Sequence, residues 1–296
     1  MPIYDLTYRG HRGVRSKLPA FFPVLENTVR LATRNKLLRS IYSSAAIPVL
    51  VAIVLLFIRY QFESGRFPGG RGAAREFLFG MSQYDSFLRV QGGLAVLLAG
   101  VIGSSAIGGD RRGNAFEAIF ARPITRAQYL LGRFLGLFAL AMGATLVPMF
   151  LIWLFDNIFS LDPDRLRATL HYPARFSLWA TIVSGSASLL VLAVSSLVAR
   201  GALAMATFGG FYFLSSAFAG VMGEVVSRGS ESSARVVRAF GYGEALQGIQ
   251  PAILGLPAAA GGNEISSTAS FVILAALAFG SVAILFRRVK PIDVVS

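Results

Sequence analysis

Six apolar runs, each close to the roughly 20 residues a helix needs to cross a hydrocarbon core, constrain this chain more than any other feature. They are Ile41 to Ile58, Phe87 to Ile107, Ala127 to Trp153, Phe176 to Ala199, Ala202 to Met222 and Thr268 to Phe286. Inside a bilayer every backbone N–H and C=O must be satisfied without water, so runs of this length predict helices and an all-α integral membrane protein. The composition agrees, since 54% of the 296 residues are hydrophobic, above the roughly 45 to 50% usual in soluble domains. The basic N-terminus, from Tyr8 to Lys17, has no apolar core and does not read as a cleaved signal peptide.

A formal net charge of +13 raises the question of nucleic acid. Its distribution answers against that. With both termini placed in the cytoplasm, the inside segments hold 17 Lys/Arg and 5 Asp/Glu, while the outside loops hold 11 and 10. This is the positive-inside asymmetry, and basic residues facing anionic membrane lipid account for it. The expected location is therefore the cytoplasmic (inner) membrane of a bacterium or archaeon.

Catalytic alternatives run short of residues. The three lysines, Lys17, Lys36 and Lys290, do not follow glycine, so no Walker A loop is present. Cysteine is absent and the two histidines, His11 and His171, fall outside the spans. Ser186, in Gly-Ser-Ala, thus has no assured base, and no metal-ligand cluster lies in the spans. The span interiors carry no ionisable residue apart from Arg89 and Arg133 near their ends, unlike the relay expected of an ion-coupled carrier. We expect no enzyme, cofactor or metal in this chain.

The connector between the second and third spans holds the richest pattern. It leaves the membrane through Gly108 and Gly109, turns at Asp110-Arg111-Arg112, and has Asn114 and Glu117 spaced as a capping box. Arg122 precedes Pro123, so about two helical turns fit before it. They place Phe116, Ile119 and Phe120 on one face. That patch either lies among headgroups or docks on a partner. Thr125 and Gln128 repeat the capping pattern at the next span.

The order of these features, Asp-Arg-Arg, a short helix, then Arg-Pro-Ile-Thr-Arg-x-x-Tyr-x-x-Gly-Arg from Arg122 to Arg133, resembles the permease subunits of ABC-2 type ABC transporters. The resemblance implies that this helix couples the permease to a separate ABC ATPase, with Asn114, Phe116, Glu117, Ile119, Phe120 and Arg122 as coupling residues. ATP and Mg would sit on that partner. It further implies an exporter working as a dimer, with itself or with a similar chain. A membrane scaffold that recruits a cytoplasmic partner through the same connector is the alternative.

Residues 1–40 then read as a cytoplasmic N-terminus and connecting helix, and residues 41–296 as one six-helix domain. Ala20 to Arg39 is amphipathic, with Glu26, Asn27, Arg30, Thr33 and Arg34 opposite Phe21, Val24, Leu25, Val29, Leu31 and Ala32. It suits the inner interface, in contact with membrane lipid. Small residues recur at Gly92, Gly100 and Gly103 of the second span and at Gly132, Gly136 and Gly143 of the third, a pattern for close helix packing. The first set, followed by Gly209 and Gly210, is the expected dimer face. Asp156, Asp162 and Asp164 fall in an outside loop and read as a turn or a cation cluster. In the outside segment 223–267, Ser230 to Phe240 suits a short helix with Val236, Val237 and Phe240 on its apolar side. Leu246 to Leu256 is too short to span, and the resemblance implies a re-entrant segment there.

Overall fold

The computed structural model describes residues 19–34, 36–64, 81–120, 124–160, 163–255 and 265–289. The N-terminus, most of the first outside loop, Arg122, Asp162 and the C-terminus lie outside them, as does the side chain of Glu117. The elements are α1 (Phe22–Arg34), α2 (Lys36–Glu63), α3 (Met81–Gly103), α4 (Gly108–Arg112), α5 (Ala115–Phe120), α6 (Arg126–Ser160), α7 (Pro163–Thr169), α8 (Tyr172–Leu197), α9 (Gly201–Ser227), α10 (Glu231–Arg238), α11 (Tyr242–Gly248), α12 (Gln250–Leu254) and α13 (Ser267–Arg288). Among the described residues there is no strand, and six helices are long and apolar enough to cross a membrane. They match the six runs read from the sequence, except that the helix of the second ends at Gly103 and that of the fourth at Leu197.

α3, α6 and α8 form the centre of the bundle, and α2, α9 and α13 lie around them with much of their apolar surface outward. Contact between helices in lipid depends on shape rather than on a hydrophobic gradient, and the glycines show where the shapes close. A Cβ on Gly92 would stand 2.8 Å from Trp179 of α8, and one on Gly103 would stand 2.7 Å from Leu137 of α6. Gly132 and Gly136 seat α1 instead of a span: their Cβ atoms would lie 2.7 Å from the Phe21 carbonyl oxygen and 2.8 Å from Thr28. The buried face of α1 is accordingly Val24, Thr28 and Ala32, while Leu31 is exposed. Gly143 faces the Tyr42 hydroxyl.

Two readings of the connector and loop need correction. Asp110-Arg111-Arg112 is not a turn but the body of α4, which continues α3 after a break at 104–107. The Ser195 hydroxyl of α8 fills that break, donating to the Ser104 carbonyl at 2.9 Å and accepting from the N–H groups of Ile107 and Gly108 at 3.2 and 3.1 Å. Gly108 has to be glycine, because a Cβ there would meet the backbone carbonyls that end α8. Asp156 is not in a loop either. α6 runs on past Pro148 to Ser160 and carries Asp156 into the bundle, 1% exposed.

The outside segment folds back into the bundle. α10 returns along α9, but with Ala234 and Arg238 inward and Val236 and Phe240 exposed, the reverse of the expected face. Lipid imposes no cost on an outward valine, so the small residue takes the contact. The turn into α11 is met by two hydroxyls of α9, Ser215 accepting from Tyr242 N–H at 3.1 Å and Ser216 from Gly243 N–H at 3.3 Å. Ser215 lies 12 residues before the end of α9 at Ser227, about 18 Å along its axis. α10 to α12 thus form a hairpin that folds back along α9.

Candidate functional site

The connector end is built from α1, α4, α5 and the first turns of α6. The Thr125–Gln128 capping box starts α6 as the sequence indicates: Thr125 N–H donates to Gln128 Oε1 at 2.9 Å, and Gln128 N–H donates to Thr125 Oγ1 at 3.3 Å. That fixes the register in which Tyr129 and Arg133, one turn apart, face α4. Asn114 adopts φ 51°, a left-handed conformation that asparagine tolerates, and turns the chain between α4 and α5.

Phe116, Ile119 and Phe120 do share a face, yet that face is largely spent inside the chain. Phe116 is 6% exposed. Its ring meets Tyr129 edge-on at 5.6 Å and Phe120 at 5.7 Å, and Phe120 lies 5.8 Å from Tyr129. Ile119 and Phe120 are half-buried. The patch therefore does have a span to pack against, and the fully outward residues here are Arg111, Arg112, Gly113 and Asn114.

Behind the aromatic cluster lies a charged network absent from the reading above. Asp110 Oδ2 accepts from the Tyr129 hydroxyl and from Arg133 Nη2, and Arg133 Nη1 donates to Thr28 of α1 at 3.1 Å. The Arg133 guanidinium also stands over the Tyr129 ring, 5.7 Å from its centroid. Arg133 is 4% exposed, a buried cation whose cost Asp110 offsets. Four hydrogen-bonding side chains thus join α4 and α1 through α6, and the rings join α5 to the same Tyr129. Tyr129 and Arg133 sit inside the motif that marks the connector; their partners, 19 and 105 residues away, could not be read from spacing.

A second network closes the opposite end. Asp156 accepts from Tyr84 at 2.9 Å, from Arg59 at 3.2 Å and from Arg165 at 2.8 Å on each oxygen. Its carboxylate is fully used, and it ties α2, α3, α6 and α7 together. Among the described residues no cluster of His, Asp and Glu has a metal-binding arrangement.

Between α3 and α9 runs an apolar cavity of about 400 Å³, lined among others by Gly93, Leu97, Gly100, Phe208, Gly209 and Phe213. Of the glycines expected at a dimer face, Gly92 and Gly103 are sealed within the bundle and Gly100 is covered by Phe208. Gly93, Gly209 and Gly210 have open space before them. No family model matches the chain, and no curated protein matches it.

Proposed function

We propose that this chain is the permease subunit of an ABC-2 type ABC transporter, an exporter with both termini in the cytoplasm, driven by a separate ATPase. The observation that supports this reading is the connector end. A short helix and an exposed basic stretch, the end of α4 with Gly113 and Asn114, are braced from behind by Tyr129, Asp110 and Arg133, so a push on that stretch reaches α1 and α6 together. A merely interfacial turn has no need of a buried ion pair shared by three helices. In this reading α1 lies in the inner interface, α5 is the coupling helix, and the α3–α9 cavity is a wall of the pathway that a second copy completes.

The burial of Phe116 moves the test to other residues. Phe116→Asp would break the aromatic cluster as well as any docking contact. Arg112→Glu and Arg112→Trp alter only the exposed end of α4. Co-expressed with an ATPase encoded beside it, each variant should insert and purify at wild-type yield, while complex recovery falls about tenfold, a loss of about 1.4 kcal/mol. Unchanged recovery and unchanged substrate-stimulated hydrolysis would remove the coupling role. Topology is tested separately in this cysteine-free chain. Cysteine at Ser232 should react with an impermeant thiol reagent outside the cell, and cysteine at Asn114 should not.

A further inference from the structure

Beneath α1 lies a second cavity, of about 140 Å³, whose lining is unlike that of the α3–α9 groove. One wall is apolar, formed by Leu31, Val101, Ile102 and Ala106, and the floor is the Asp110–Arg133 pair with Thr28 and Ser105 beside it. The cavity sits where α3 ends at Gly103, at the connector end of the bundle.

The floor is not chemically saturated. Arg133 offers five N–H donors. Its Nη1 serves Thr28 and its Nη2 serves Asp110, while its Nε is buried without a hydrogen-bond partner. Asp110 receives both of its bonds on Oδ2, leaving Oδ1 unbonded among the described residues. Arg133, whose Nη1 and Nη2 each carry one further N–H, and Asp110, with Oδ1 unused, thus both line one small space beside an apolar wall. A lone anion there would face the carboxylate and a lone cation the guanidinium. A molecule carrying both charges a few atoms apart satisfies both.

We propose that this cavity holds the headgroup of one aminophospholipid of the phosphatidylethanolamine type, drawn from the leaflet at the connector end. Its phosphodiester accepts from the remaining Nη N–H groups of Arg133, its primary ammonium donates to Asp110 Oδ1, and its glycerol and upper acyl carbons cover Leu31, Val101 and Ile102. The ammonium hydrogens matter, since a quaternary choline cannot donate to the carboxylate. An ion pair that would be costly to leave half-solvated is completed by the membrane, and the lipid joins α1 to α3. This inference does not rest on the transport reading.

The test is native mass spectrometry of the full-length chain released from micelles holding equal amounts of phosphatidylethanolamine, phosphatidylglycerol and phosphatidylcholine. About one phosphatidylethanolamine per chain should be retained, enriched about fivefold over the other two. Asp110→Asn should bring that enrichment down to the phosphatidylcholine level. Ala106→Phe fills the cavity without touching the ion pair and should abolish retention, which keeps the test decisive even where Asp110→Asn fails to fold. Equal retention of the three lipids, preference for phosphatidylglycerol, or undiminished binding to Ala106→Phe overturns the proposal. So does displacement of the lipid by free glycerophosphoethanolamine at equal concentration.

Discussion

The bundle is closed at each end by an aspartate bonded to arginine and tyrosine, and the two closures are built differently. Asp156 has every lone pair engaged by Arg59, Arg165 and Tyr84, is 1% exposed, and adjoins only a crevice too narrow for water. Asp110 uses one oxygen, is partly exposed, and borders a cavity. The same chemistry fastens helices in one place and leaves them adjustable in the other. A saturated carboxylate permits one arrangement of its partners; a half-used one permits several.

Experiments that break or sharpen this contrast differ in expected size. Asp156→Ala leaves two arginines without their buried partner and should cost about 3 to 5 kcal/mol, seen as a large fall in the thermal midpoint of the purified protein in detergent. Asp110→Ala strands one arginine near an open cavity and should cost less, about 1 to 3 kcal/mol. Equal losses would erase the distinction. Gly136→Leu drives a side chain into Thr28 and should lift α1 off α6 at about 1 to 3 kcal/mol, exposing α1 to protease while the spans remain intact. Tyr129→Phe keeps the ring and removes one hydrogen bond, for about 1 kcal/mol. Its informative readout is ATPase stimulation in the complex, which should fall while midpoint and assembly barely change. Gly209→Leu faces open space and should alter stability by under about 0.5 kcal/mol, yet lower self-association measured by cross-linking in membranes.

Much of this was legible in the residues. Length of apolar run identified every span, because a membrane leaves the backbone almost no alternative to helix. The Thr125–Gln128 box was legible because both partners lie within one turn. What escaped was pairing at a distance. Asp156 looked like a loop residue because a carboxylate ends an apolar run, and the arginine and tyrosine that draw it inward are 97 and 72 residues away. The glycine stripes announced close packing without naming the neighbour, so Gly132 and Gly136 seat α1 where another span was expected. The face of α10 was misread for a different reason. An amphipathic pattern tells inside from outside only when water is outside, and beside lipid Val236 and Phe240 can point away from the protein.

The α10–α12 hairpin is also fastened from both directions along the chain. Its deep turn is satisfied by Ser215 and Ser216 of α9, made before it, and its far side by residues made after it: Ser266 N–H donates to the Arg235 carbonyl, and Ser267 to the Gly248 carbonyl. Half of those bonds thus come from each side, and the segment between the fifth and sixth long helices is clasped by residues on both of them.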